Sequence, residues 1–272
     1  MKAKYFLIAI IFIGQFGFAQ DPNFHVYLSF GQSNMEGHAK FEAQDTLVNE
    51  RFQVLQSVDC PELGREAGKW YPAVPPLSRC DTCLTPTDYF GRTLVQNLPE
   101  DIKVGVINVA VGGSKIELFD KDNYKEYVSS APHWMVPAIN KYNGNPYGHL
   151  VDLARKAQEK GVIKGILLHQ GESNTGGEEW PEKVKAVYNN LLRDLNLNAE
   201  DVPLLAGEMV SEEQGGKCAS MNSILARLPE KIPNAHIISS KGCEAVNDGL
   251  HFSAAGYREL GERYGRKMLS LL

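Results

Sequence analysis

The 272-residue chain has no basic cluster, no internal repeat, no low-complexity tract and no long apolar run beyond its first twenty residues. With 28 Lys and Arg against 33 Asp and Glu, the formal charge is -5, which gives no support for nucleic-acid binding. Cysteine is scarce, at five: Cys60, Cys80, Cys83, Cys218 and Cys243. One C-x-x-C, Cys80 to Cys83, stands without a second C-x-x-C or a histidine pair. A zinc site is therefore disfavoured, and a structural bridge within the C-x-x-C is the expectation. Cys218 with Cys243 is the natural second pair, both flanking loops in the C-terminal third. An odd count leaves at least one thiol over, and spacing alone does not fix the connectivity.

What is present begins with a leader. Lys2 and Lys4 precede an apolar run from Tyr5 to Ile13, and the stretch ends in Phe16, Gly17, Phe18 and Ala19. This is the layout of a secretory signal peptide cleaved after Ala19, too short to favour a spanning helix. Export to the medium or periplasm permits disulfides. Loss of the two lysines moves the charge from -5 to about -7. Residues 20–272, in a chain with a 43% apolar share, suit one sizeable domain with a well-developed core.

Strand and helix patterns alternate along the remainder. Val26 to Phe30, Ile102 to Val111, Val162 to His169 and Val202 to Met209 read as buried strands, and a short strand is expected at Ala235 to Ser239. Helical stripes follow at about 87–98, 150–160, 181–195, 220–228 and 254–271. The pattern predicts an α/β fold, a three-layer α/β/α sandwich around a mainly parallel sheet. Residues 38–88 show no sustained period, and are expected to form a Cys-bearing loop insertion overhanging one edge.

Ligands of such sheets bind outside the carboxyl ends of the strands. Three strands end there in polar motifs: Gly31-Gln32-Ser33-Asn34, Gly112-Gly113-Ser114, and His169-Gln170-Gly171-Glu172-Ser173-Asn174. A fourth piece, Asp248-Gly249-Leu250-His251, precedes the last helix. Each alone is ordinary: a serine after a strand is usually a turn residue or helix cap, and D-x-x-H usually caps a helix. Together they supply what acyl transfer needs. Ser33 is the candidate nucleophile and His251 the base, with Asp248 positioned to orient the imidazole. The backbone N–H of Ser33, that of Gly112 or Gly113, and the Gln170 amide are candidate oxyanion donors. Gln32 and Asn34 read as shaping the turn; His169 and Glu172 read as supports.

In this combination and order, GQSNM, GGS, HQGES and DGLH resemble the block motifs of the SGNH hydrolase superfamily, and more narrowly its sialate O-acetylesterase-related branch with the acetylxylan esterases of carbohydrate esterase family six. The resemblance implies a flavodoxin-like fold and a secreted serine acetylesterase using neither cofactor nor metal, with Ser33, Asp248 and His251 as its triad. It implies an acetylated poly- or oligosaccharide as substrate, acetylxylan before sialic acid, and no membrane partner once the leader is removed. Broader members of the superfamily place an asparagine where this chain has HQGE, so Gln170 takes the third oxyanion role. Trp70, Tyr71 and Trp134 are candidates for stacking on sugar faces. The competing readings are a non-catalytic carbohydrate-binding protein on the same fold, and a lipase-like esterase, for which no apolar lid segment stands out.

Overall fold

Strand β1 (Asp21–Gly31) occupies the middle of a seven-stranded sheet in a computed structural model that describes residues 20–272. The expected leader, residues 1–19, lies outside the described residues. The other strands are β2 (Phe52–Leu55), β3 (Trp70–Pro72), β4 (Lys103–Ala110), β5 (Gly161–His169), β6 (Leu204–Gly207) and β7 (Ala235–Ile238), in the order β3-β2-β4-β1-β5-β6-β7. Every pairing is parallel except β2 with β3.

Alternation along β1 divides the core. Val26, Leu28 and Phe30 face one side, with Leu150 and Ala154 of a helix at Pro146–Gln158 and Val184, Val187 and Leu191 of a helix at Trp180–Asp194. Tyr27 faces the other, with Phe90 and Leu94 of a helix at Pro86–Asn97 and Tyr257, Leu260 and Tyr264 of the last helix, Ala254–Leu269. Each fully buried large apolar side chain of this kind stabilises the fold by about 1.5–3 kcal/mol. The result is the three-layer α/β/α sandwich expected from the alternating pattern.

Two expectations are corrected. The 38–88 stretch is not merely loop: it contributes β2 and β3 to one edge of the sheet. Strands of four and three residues are too short to show a period in sequence. The cysteine pairing also differs. The disulfide joins Cys60 to Cys80, while Cys83, Cys218 and Cys243 are free thiols. Backbone pairing of Cys83 N–H with the Gly37 carbonyl, followed by Leu84 with Ala39, commits Cys83 to the segment after β1. Cys218 packs against one core and Cys243 lies within the other, so the sheet stands between them.

The chain order puts the crevice where the site motifs end. β1 lies between β4 and β5, so the loops after these three strands emerge side by side at the carboxyl edge. This is the reversal of strand order at which open parallel sheets form their clefts.

Candidate active site

Ser33 is the first residue of a one-turn helix, α1 (Ser33–Glu36), directly beyond β1. The turn is tight because Gly31 lies against the neighbouring strand. A Cβ there would come within 2.0 Å of the His169 carbonyl oxygen. Its first-turn position leaves the Ser33 N–H without a partner among the described residues, as helix geometry requires.

His251 comes from the loop before the last helix. Its Nε2 is 2.9 Å from Ser33 Oγ, and its Nδ1 is 2.7 Å from Asp248 Oδ2. The second oxygen, Asp248 Oδ1, accepts the backbone N–H groups of Leu250 at 2.8 Å and His251 at 3.0 Å. Partial burial acts to raise the Asp248 pKa. The hydrogen bonds from the His251 ring and from these two N–H groups outweigh it and lower the value to about 2. The carboxylate is thus charged at neutral pH and bound to Nδ1, which leaves Nε2 to face the serine as an acceptor. Capping of the last helix, the ordinary use of such an aspartate, is done instead by Ser253, whose Oγ accepts the Gly256 N–H at 3.2 Å.

Asn34 ties the serine turn to the histidine loop. Its Nδ2 donates to Glu172 Oε1 at 2.6 Å and to the Leu250 carbonyl at 2.9 Å, and its Oδ1 accepts the Tyr257 hydroxyl at 2.7 Å. Gln32 does similar work toward the third loop, its Oε1 accepting from Gln170 Nε2 and from the Ser173 N–H, each at 3.2 Å. His169 is fully buried, with Nε2 bonded to the Glu208 carbonyl at 3.0 Å, and burial pushes its pKa below the ordinary value. Its Nδ1 lies 3.7 Å from Glu172, too far for a hydrogen bond.

The oxyanion donors sort differently from expectation. The Gly112 N–H is committed to Glu36 Oε1 at 2.8 Å. Gly113, at φ +69°, has no hydrogen-bond partner for its N–H among the described residues. Gln170 does not reach the space before the serine. It is fully buried, its Nε2 contacts Gln32, the Ser114 carbonyl and Asn174, and its Oε1 accepts Trp180 Nε1 at 2.5 Å. The indole fixes the amide's orientation and turns its donors inward, making Gln170 a prop between loops.

A cavity of about 420 Å³ opens over Ser33 and His251, with Gly113, Ser173, Trp134 and Cys218 in its walls. Of the three aromatics considered for stacking, only Trp134 is here. Trp70 packs on Phe24, with ring centroids 4.8 Å apart, in the edge strand β3, and the Tyr71 hydroxyl accepts the Glu66 N–H.

Three contributors were not evident from sequence. His38 stacks on His251, with centroids 3.8 Å apart and planes 13° from parallel. Partial burial, with repulsion from His251, lowers its pKa, so it covers the ring face as a neutral neighbour. Glu36 and Arg79 form an ion pair at 2.7 Å, with side chains 17% and 7% exposed, through the same Glu36 oxygen that holds Gly112. Arg79 also donates to the Ala110 carbonyl at 2.8 Å. Both Glu36 and His38 sit within five residues of Ser33, the one signal by which sequence could have flagged them.

His38, Asp248 and His251 are also the described residues whose potential metal-ligand atoms gather within 4.8 Å of one another. Stacked rings carry their in-plane lone pairs side by side instead of converging them on a point. Both nitrogens of His251 are already engaged. The cluster is arranged to handle a proton.

Comparison with known proteins follows the same line. A family model described as carbohydrate esterase, sialic acid-specific acetylesterase matches residues 23–270. A solved structure of a protein from Arabidopsis thaliana superposes with a TM-score of 0.70 at 21% identity, over 92% of this chain and 99% of that one. NanS superposes at 0.65 and 16% identity, over 92% and 98%. A carbohydrate acetylesterase from Xanthomonas citri superposes at 0.60 and 18% identity, over 88% of this chain but 55% of that longer protein. At such identities the structures attest the fold, whereas the family match spans nearly the whole chain. The chain belongs to the carbohydrate esterase family of sialic acid-specific acetylesterases, and it is a carboxylic-ester hydrolase.

Proposed function

We propose that this protein is a secreted O-acetylesterase that removes acetyl groups from an uncharged glycan, acetylxylan first, through Ser33, His251 and Asp248. The observation that carries the reading is the unbroken line from Asp248 through His251 to Ser33 Oγ, at 2.7 and 2.9 Å, ending in a cavity open to solvent.

Ser33 Oγ attacks the acetyl carbonyl carbon while His251 Nε2 takes its proton, and Asp248 stabilises the imidazolium that forms. The oxyanion of the tetrahedral intermediate accepts the N–H groups of Ser33 and Gly113, the two in this corner without hydrogen-bond partners among the described residues. As the intermediate collapses, His251 gives that proton to the departing sugar oxygen, which leaves as a free hydroxyl, and the acetyl group stays on Ser33 Oγ. Water, deprotonated by the same nitrogen, releases acetate from the serine ester.

Charge bears on the choice of sugar. Among the described residues that wall the serine cavity there is no Lys or Arg, while Glu172 is present. A sialic acid carboxylate would meet no countercharge there, and a neutral sugar needs none. Sialate O-acetyl ester hydrolysis is the second reading, favoured by the family match. For export, support comes from the leader-like first nineteen residues and from the Cys60–Cys80 disulfide, a bond kept in oxidising compartments.

The test is acetate release from an aryl acetate, acetylated xylan and O-acetylated sialoglycan by the wild type and Ser33→Ala. The reading expects turnover by the wild type with xylan preferred, and loss of about a thousandfold or more in the variant. Hydrolysis undiminished in Ser33→Ala would overturn the nucleophile, and preference for sialoglycan would select the second reading.

A further inference from the structure

Beside the serine cavity lies a larger one, of about 580 Å³, which the proposed reaction does not use. The two share Gly113, Trp134 and Ser173 in their walls, so they are compartments of one cleft. Trp134 is 66% exposed, more than any other Phe, Tyr or Trp among the described residues, and its Cη2 would lie 2.4 Å from a Cβ placed on Gly113. An indole held out from the surface at a cleft divider, braced against the backbone of a candidate oxyanion donor, presents a flat apolar face. Pyranose rings offer the complement, a patch of C–H groups rimmed by hydroxyls.

The far walls are polar. Lys115 and Glu126 both border this compartment, and neither is among the ion-paired residues of the described structure. Glu117 is there too, but it is neutralised by Lys183 at 2.8 Å. One free ammonium and one free carboxylate sum to zero and offer hydroxyl groups both donors and an acceptor. An anionic sugar would gain from Lys115 only what it lost to Glu126.

We infer that this compartment is an accessory subsite for a second, uncharged sugar residue of the substrate chain, with Trp134 as the platform between it and the acetylated residue. The inference rests on the glycan-esterase reading above and adds that the enzyme reads a chain and not a single sugar. It also places the recognition of that second residue on Trp134, Lys115 and Glu126.

Two measurements test it on the full-length mature protein. The first is the ratio of kcat/KM on acetylated xylotetraose to that on acetylated xylose, for the wild type, Trp134→Ala and Lys115→Ala/Glu126→Ala. The wild-type ratio is expected at about tenfold or more. It should fall to near one in Trp134→Ala and several-fold in the double variant, mainly through KM. The second is calorimetric binding of unacetylated xylotetraose and of an acidic oligogalacturonide to the wild type and both variants. Xylotetraose should bind the wild type, weaken about tenfold in Trp134→Ala, and outcompete the oligogalacturonide. A wild-type ratio near one, no binding of xylotetraose, a preference for the acidic chain, or both variants matching the wild type would each overturn the inference. Hydrolysis of aryl acetate with no release from any carbohydrate would instead sink the glycan reading, and the subsite with it.

Discussion

Glu36→Gln is the most informative single change, because one oxygen of Glu36 serves both stability and the oxyanion corner. The substitution keeps shape and an acceptor but removes the charge facing Arg79, leaving a nearly buried guanidinium without its close counterion. Breaking such a pair from one side costs about 3–5 kcal/mol when burial is complete. Arg79 retains its bond to the Ala110 carbonyl and lies 3.6 Å from the exposed Asp81, so a smaller cost, about 2–3 kcal/mol, is expected. At about 2–4 °C per kcal/mol for a chain of this size, the melting temperature should fall by roughly 4–12 °C. The amide oxygen can still accept from both Arg79 and the Gly112 N–H, as Oε1 does in the wild type, but without the charge it holds each more weakly. The Gly112–Gly113 peptide therefore loosens. Full loss of one oxyanion donor costs about 10²–10³ in kcat, so partial loss should lower kcat by about tenfold, with KM little changed. Aryl acetate kinetics and thermal unfolding, run side by side, read both effects. The pH profile should keep its shape, since Glu36 is outside the line that moves the proton. A variant that melts earlier yet keeps kcat within about twofold of the wild type would refute the link between Glu36 and the oxyanion corner.

Three further outcomes follow. Asp248→Asn should lower kcat by about 10³–10⁴ by losing the tautomer that leaves Nε2 free to accept. Because the folded-state pKa of Asp248 is lowered to about 2, its contribution to stability is present above pH about 4 and lost as pH falls from there toward 2. The melting difference between wild type and Asp248→Asn should therefore close over that window, and a difference unchanged at pH 2 would contradict the assignment. Removing the disulfide by Cys60→Ala/Cys80→Ala opens a loop between residues 20 apart, and should cost about 3 kcal/mol in denaturant unfolding. Treatment with a bulky maleimide should modify Cys218, in the cavity wall, and block turnover, while Cys218→Ala is spared. Cys243, buried and with its pKa pushed up to about 11, should stay unmodified under the same conditions by mass spectrometry.

The sheet was legible where strands are buried on both faces. β1, β4 and β5 carry near-continuous apolar runs that close at Gly31, Ala110 and His169, and their polar sequels could be read as neighbours because parallel strands share one carboxyl edge. The site's main line was legible for the same reason, since Ser33 and the Asp248–His251 pair belong to compact motifs. What escaped depended on side-chain direction and on which face a loop crosses. Gln170 stands at the expected strand end, but the Trp180 indole, ten residues on, decides which way its amide points. Trp70 is aromatic and lies within the insertion, yet antiparallel pairing of β3 with β2 sends it toward Phe24. Cys60 finds Cys80 because the insertion folds back on one face, which no spacing rule encodes.

The aspartate and the histidine of the site share a single turn, and the aspartate holds the backbone of that turn as well as the ring. Their mutual geometry is therefore held chiefly by their own turn. Its distance from Ser33 is set elsewhere, by Asn34 gripping the Leu250 carbonyl and the Tyr257 hydroxyl. Mechanically, the geometry of the proposed triad comes down to the gap between the serine turn and the histidine turn, with Asn34 as a spacer between them.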